Sequence, residues 1–104
     1  MEQRVERIIS FVAQESGVGI NALYSHNRKN DVVDARHVLF YVFHHLLGMS
    51  STKAGAVLFF DHASVLYANK RIMDWREHNN INRRGLKLLE DTIKFIEENG
   101  LKHC

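Results

Sequence analysis

Proline is absent from this chain of 104 residues, and cysteine occurs once, as the last residue, Cys104. Without proline, helices can run long, and their ends must come from glycine, asparagine and serine. With a single cysteine no intrachain disulfide can form, which fits a reducing compartment. Long apolar runs are lacking too. The longest, Val38 to Phe43, is cut off by His44 and His45, well short of the roughly 20 residues that span a bilayer. Glu2, Arg4, Glu6 and Arg7 interrupt any apolar stretch at the N-terminus, so it does not read as a signal peptide, and a cytoplasmic protein without a membrane partner is expected.

The signatures of catalysis are equally sparse. No G-x-x-x-x-G-K-[ST] phosphate loop is present, so ATP-driven work by this chain alone is excluded. His44 and His45 are neighbours, and on a helix neighbours point about 100° apart, which makes them poor joint metal ligands. The pair His103-Cys104 has no two further ligands converging on it, and Cys104 has no oriented base near it in sequence. The expectation is a protein that is not an enzyme, with no cofactor, no metal and no small-molecule substrate.

What is present suits one globular domain, with 45% hydrophobic and 25% charged residues. The formal net charge is only +2, but base is concentrated in the middle of the chain. From residue 26 to 84, nine Lys or Arg stand against five acids, a weak pointer to an anionic partner.

The apolar periodicity is helical throughout, and the fold class is all-α. Val5, Ile8, Ile9 and Val12 mark an amphipathic helix from Val5 to Gln14, ended by Gly17 and Gly19. A short helix follows from Asn21 to Ser25 with Asn21 as N-cap, then a polar loop, His26-Asn27-Arg28-Lys29-Asn30. Asp31 or a neighbour starts a long central helix, roughly Val32 to Leu47, which stops at Gly48. Ser50 or Ser51 caps a short helix from Thr52 to Leu58, and Asp61 caps a longer one running to Glu77. Val65, Leu66, Ala68, Ile72 and Trp75 are its expected core face. Tyr24, Tyr41 and Tyr67 are expected to be core or half-buried; Phe59 and Phe60 suit either an exposed wedge or, the preferred use, filling the core under the turn. The last helix, Asn82 to Glu98, carries Leu86, Leu89, Ile93 and Ile96, a stripe suited to packing on the domain or to pairing with a second copy in a homodimer. Residues 1–79 then form the main domain and 80–104 an added C-terminal helix.

Two short helices around a tight turn, the second opening on small polar residues, outline a helix-turn-helix. Such a second helix must offer short side chains that let its backbone approach base edges. Asp61 can accept from a cytosine amino group, His62 can bond a base edge or phosphate, and Ala63 and Ser64 are small enough to touch a thymine methyl. Arg36 suits either a structural ion pair or a phosphate contact.

Three segments then resemble one family, the C-terminal DNA-binding domain of the bacterial replication initiator DnaA, a helix-turn-helix of Trp-repressor-like type. Val32-Val33-Asp34-Ala35-Arg36-His37 is similar to the family's I-V-x-A-R-Q, and Leu47-Gly48-Met49-Ser50 to T-G-L-S. Asp61-His62-Ala63-Ser64-Val65-Leu66-Tyr67-Ala68 is similar to D-H-T-T-V-L-H-A. Order and spacing agree over roughly residues 5 to 78. The resemblance implies binding of double-stranded DNA, with Asp61, His62, Ala63 and Ser64 reading bases in the major groove. Arg28 and Lys29 stand for a basic loop that reaches the minor groove, and Lys53, Lys70 and Arg71 complete the backbone contacts. Ala63 replaces a threonine, the loop has fewer consecutive basic residues, and Phe59-Phe60 takes the place of Gly-Gly-Arg, one residue shorter. The expected role is a free-standing, nucleoid-associated replication or regulatory factor that lacks the family's ATPase module. The rival expectation is an adaptor that keeps the fold and binds protein instead of DNA.

Overall fold

The computed structural model describes residues 2–102, so the expectations for His103 and Cys104 lie outside the described residues. Six helices and no strand are found among them: α1 (Gln3–Ser16), α2 (Ile20–Leu23), α3 (Asn30–His45), α4 (Ser51–Val57), α5 (His62–Glu77) and α6 (Arg83–Glu98). The all-α expectation holds. None of these helices is long and apolar enough to cross a membrane.

Most boundaries follow from local chemistry. The Ser50 side chain accepts the Lys53 amide to start α4, Asp61 accepts the Ser64 amide to start α5, and Asn82 accepts the Gly85 amide to start α6, each satisfying an amide that the helix itself leaves unpaired. Two starts differ from the sequence reading. Gly19, in extended conformation, holds the N-cap of α2, and Asn21 lies inside that helix. The central helix begins at Asn30, with Lys29 at its N-cap and no side-chain cap; Asp31 sits in its first turn, where a carboxylate favours the helix dipole.

Helix α3 is the hub, packed against α1, α2, α4, α5 and α6. Residues Ala35 to Phe43 are buried without a break, so this helix has no solvent face over more than two turns. Around it, Val5, Ile8, Ile9 and Val12 of α1 close one side and Val65, Ala68, Ile72 and Trp75 of α5 another. Leu66, expected in the α5 core face, is instead 52% exposed. It follows Val65 by about 100° of helix rotation, which turns it away from the stripe that Val65, Ala68, Ile72 and Trp75 define.

Helix α6 packs on α1, α3 and α5. It buries Leu88, Leu89, Thr92 and Ile96, and leaves Leu86 and Ile93 half-buried against the core. The stripe expected to serve either packing or a dimer is thus rotated inward, and Leu89 and Ile96 are taken up within the chain. Two contacts seat the helix. Asn82 Nδ2 donates to Asp34 Oδ2 at 2.9 Å, tying the cap of α6 to α3. Gly85 lies flat on the indole of Trp75, where a Cβ would come within 2.7 Å of the ring. Glycine at this point is a demand of packing, since that distance is shorter than van der Waals contact allows.

Gly85→Ala is accordingly expected to push α6 off Trp75 and cost about 1–3 kcal/mol, the usual penalty of overpacking. Urea unfolding followed by circular dichroism measures it, and a stability equal to the native chain's would refute the packing role.

Candidate nucleic-acid interface

Helices α4 and α5 meet across the four residues Leu58 to Asp61. The carbonyl of Gly55 accepts the amides of Leu58 at 3.1 Å and of Phe60 at 2.9 Å, and that of Ala56 accepts the amide of Phe59 at 3.1 Å. The nested six-residue closure from Phe60 to Gly55 and four-residue closure from Phe59 to Ala56 form the Schellman arrangement, which satisfies the last carbonyls of a helix and needs a left-handed residue just beyond it. Phe59 fills that position with φ 65°, the only positive φ outside glycine among the described residues. A Cβ on Gly55 would come within 2.7 Å of the carbonyl oxygens of Phe60 and Asp61. The bare Cα lets the turn fold back over α4 and sets the angle at which α5 leaves.

The first turn of α5 is held by Asp61. Its Oδ1 accepts the Ser64 amide at 3.0 Å and the Ser64 hydroxyl at 3.1 Å. Those bonds, the amide first, hold the carboxyl below its ordinary range, so it is ionised at neutral pH. Asp61, His62 and Ala63 are exposed and Ser64 is half-buried. His62, Leu66 and Lys70 recur every four residues and share one exposed side of the helix. Tyr67, expected to be core or half-buried, is 58% exposed.

The loop before α3 is built by short-range bonds. Ser25 Oγ donates to the Ala22 carbonyl at 2.9 Å, and Asn27 Oδ1 accepts the Lys29 amide at 2.9 Å, a local turn that asparagine favours. Arg36 completes it from α3. Its Nε donates to the Leu23 carbonyl at 3.2 Å. Its Nη2 donates to the carbonyls of Ala22, Ser25 and Asn27 at 3.2, 2.7 and 3.2 Å. Arg36 is 6% exposed and makes no ion pair among the described residues. Burial pulls its pKa down from the ordinary value. The structure therefore gives it neither of the expected roles. Its guanidinium also lies 4.7 Å from the centre of the Phe60 ring, and Phe60 in turn touches His26 and Phe40. One side chain thereby joins the basic loop to the helix-turn-helix.

Between loop and helix runs a cleft of about 690 Å³ that brings Arg28 together with Asp61, Ala63, Ser64 and Tyr67. Arg28, Lys29, Lys53 and Lys70 are exposed. Arg71 is half-buried and lines a different cleft beside Asp31, Asp34 and Arg84, away from the rest of the expected set. Phe59 and Phe60 part company: Phe60 fills the core under the turn as expected, while Phe59 is 74% exposed. Sequence reasoning missed the exposure of Leu66 and Tyr67, and the loop-holding part of Arg36, while Phe59 takes the less favoured of its two expected places. Rotation angles on α5 carried a signal for the first; nothing in the sequence carried one for Arg36, whose partners are backbone carbonyls.

A short capped helix, a tight turn and a second helix that opens on exposed small polar residues beside a basic loop define a helix-turn-helix DNA-binding domain. The comparison with known families agrees in detail: residues 5–72 match the bacterial dnaA protein helix-turn-helix. The chain belongs to that family. A search among curated proteins found no match.

His37 stands where the family pattern has glutamine. It is buried, with Nδ1 lacking a partner among the described residues. Burial first, then the charges of Arg71 and Arg36, lowers its pKa from 6.5 to about 4. An unfolded chain takes up that proton near pH 6.5 and the folded chain resists until about pH 4, so stability falls as pH drops through this window and levels off below it. The loss is expected to reach about 3 kcal/mol, and His37→Gln should flatten it; unchanged pH dependence of urea midpoints in that variant would refute the assignment. Arg36→Lys keeps the charge but cannot span four carbonyls. A loss of about 2–4 kcal/mol, with faster proteolysis between residues 24 and 29, is expected. Native-like cleavage rates would show that the loop is held otherwise.

Proposed function

We propose that this chain is a non-catalytic reader of double-stranded DNA with a preference for sequence, serving replication or its regulation without an ATPase module of its own. In this reading residues 1–79 are the DNA-binding domain, residues 80–104 are a helix packed on it, and the protein works on the nucleoid. The observation that carries the reading is the shared cleft. It sets Arg28 opposite the exposed first turn of α5, so a loop and a helix can address the two grooves of one duplex at once.

Within this reading Asp61, His62, Ala63 and Ser64 face bases, with Ser64 limited by the hydroxyl bond it already gives to Asp61. Leu66, exposed on the His62 side, adds an apolar surface for a thymine methyl. Arg28, Lys29, Lys53 and Lys70 position the protein through phosphates. Arg71 contributes only if its side chain leaves the neighbouring cleft. A homodimer, if formed, must use surface other than Leu89 and Ile96, which are buried within the chain.

Binding of labelled duplex across a salt series tests the reading. Four to five phosphate contacts correspond to a log–log slope of about −4, at roughly −0.9 per contact. The double variant His62→Ala, Ser64→Ala is expected to lose discrimination between sequences while keeping most of that slope. A folded native chain that leaves duplex DNA unbound at low salt would overturn the reading in favour of a protein-binding adaptor on the same fold.

A further inference from the structure

Phe59 is placed at a cost and hides almost nothing. Three other helix ends in this chain put glycine in the left-handed region, at Gly17, Gly48 and Gly100 with φ between 63° and 73°. The end of α4 puts phenylalanine there, at φ 65°, a conformation that costs any residue with a Cβ, and a bulky one most. Its side chain remains 74% exposed, so burial does not repay the strain. The cap of α4 needs a left-handed residue but not a phenylalanine, and residues held in strained conformations cluster at functional sites.

Its surroundings indicate the surface. Phe59 lies two residues before the N-cap of α5, and its ring meets that of Tyr24 at 5.5 Å between centres. Tyr24 opens the loop that carries Arg28 and Lys29. The aromatic pair thus bridges the seam between the base-reading helix and the basic loop, continuous with both. A duplex gripped by those two elements has one sugar-phosphate strand crossing that seam, and the apolar faces of its sugars and the methyl of a flanking thymine suit an aromatic ring.

We propose that Phe59, backed by Tyr24, is a DNA-contacting residue that packs against this strand and adds apolar contact area to a lightly charged interface. The proposal rests on the DNA-binding reading above and is separable from it. An apolar contact releases no counterions. It therefore strengthens binding equally at every salt concentration, unlike Arg28 or Lys29.

The test is Phe59→Gly, with Phe59→Tyr as the conservative partner, each assayed for thermal stability and for duplex binding over a salt series. Glycine relieves the backbone, so the melting temperature is expected to rise while affinity falls about tenfold, from the apolar area lost, with the salt slope unchanged. Tyrosine should restore the affinity. Opposite movement of stability and binding is the signature, because a purely structural residue would move both the same way. A glycine variant that binds as tightly as the native chain, or one whose salt slope changes, overturns the proposal while leaving the DNA reading intact. Native protein that binds no duplex overturns both.

Discussion

The arrangement of this domain depends on one buried cation. Arg36 projects from the central helix into the angle between the loop and the turn, and it meets backbone carbonyls and an aromatic face in place of an acid. Two of those carbonyls belong to the last residues of α2, the negative end of a short helix. A guanidinium suits this task because its planar fork offers several donors in fixed directions and stays charged when desolvated, where an ammonium would offer a point charge. The loop and the turn each have short-range bonds of their own. Anchored to the same side chain, they inherit the rigidity of α3.

That anchoring has a bearing on charge. The proposed interface has four exposed basic residues in a chain whose net charge is only +2, a modest attraction for a polyanion. Geometry has to supply what charge does not. A preorganised loop and helix lose little freedom on binding, and ordering of loops and side chains is among the larger costs of association. The distribution of burial is consistent with this: the α5 residues nearest its N-cap are exposed, while Val65, Ala68, Ile72 and Trp75 lock the same helix to the core from behind.

Much of this was legible beforehand. The five longer helices could be placed from apolar spacing and, for two of them, from capping residues, because Ser50 and Asp61 perform in the structure the chemistry that makes them good caps in sequence. The helix-turn-helix family could be read because Asp61 to Ala68 resembles a family pattern. What could not be read depends on contacts across the chain. Leu66 and Tyr67 look like core in a string of apolar letters, and only the position of α3 decides which side of α5 is covered. The start of α3 and the cap of α2 were misplaced by two residues or so, since extended backbone at Gly19 and Lys29 leaves no mark on composition. Phe59 and Phe60 are identical letters with opposite fates, separated by a sign change in one backbone angle.

The chain carries one tryptophan, and it sits beneath Gly85 at the junction of α5 and α6, fully buried. That position makes Trp75 a natural optical gauge. Its indole is shielded from water while α6 stays seated, so its ultraviolet emission should be that of an apolar site and shift to longer wavelength once the helix lifts. The exposed opening of α5 lies more than three helical turns away along the same helix, with the rings of Tyr67 and His37 in between, 5.7 Å apart, and His37 6.4 Å from the indole. The protein can thus report the integrity of its interior in the same cuvette, and without an added dye, while a labelled partner reports events on its outer face.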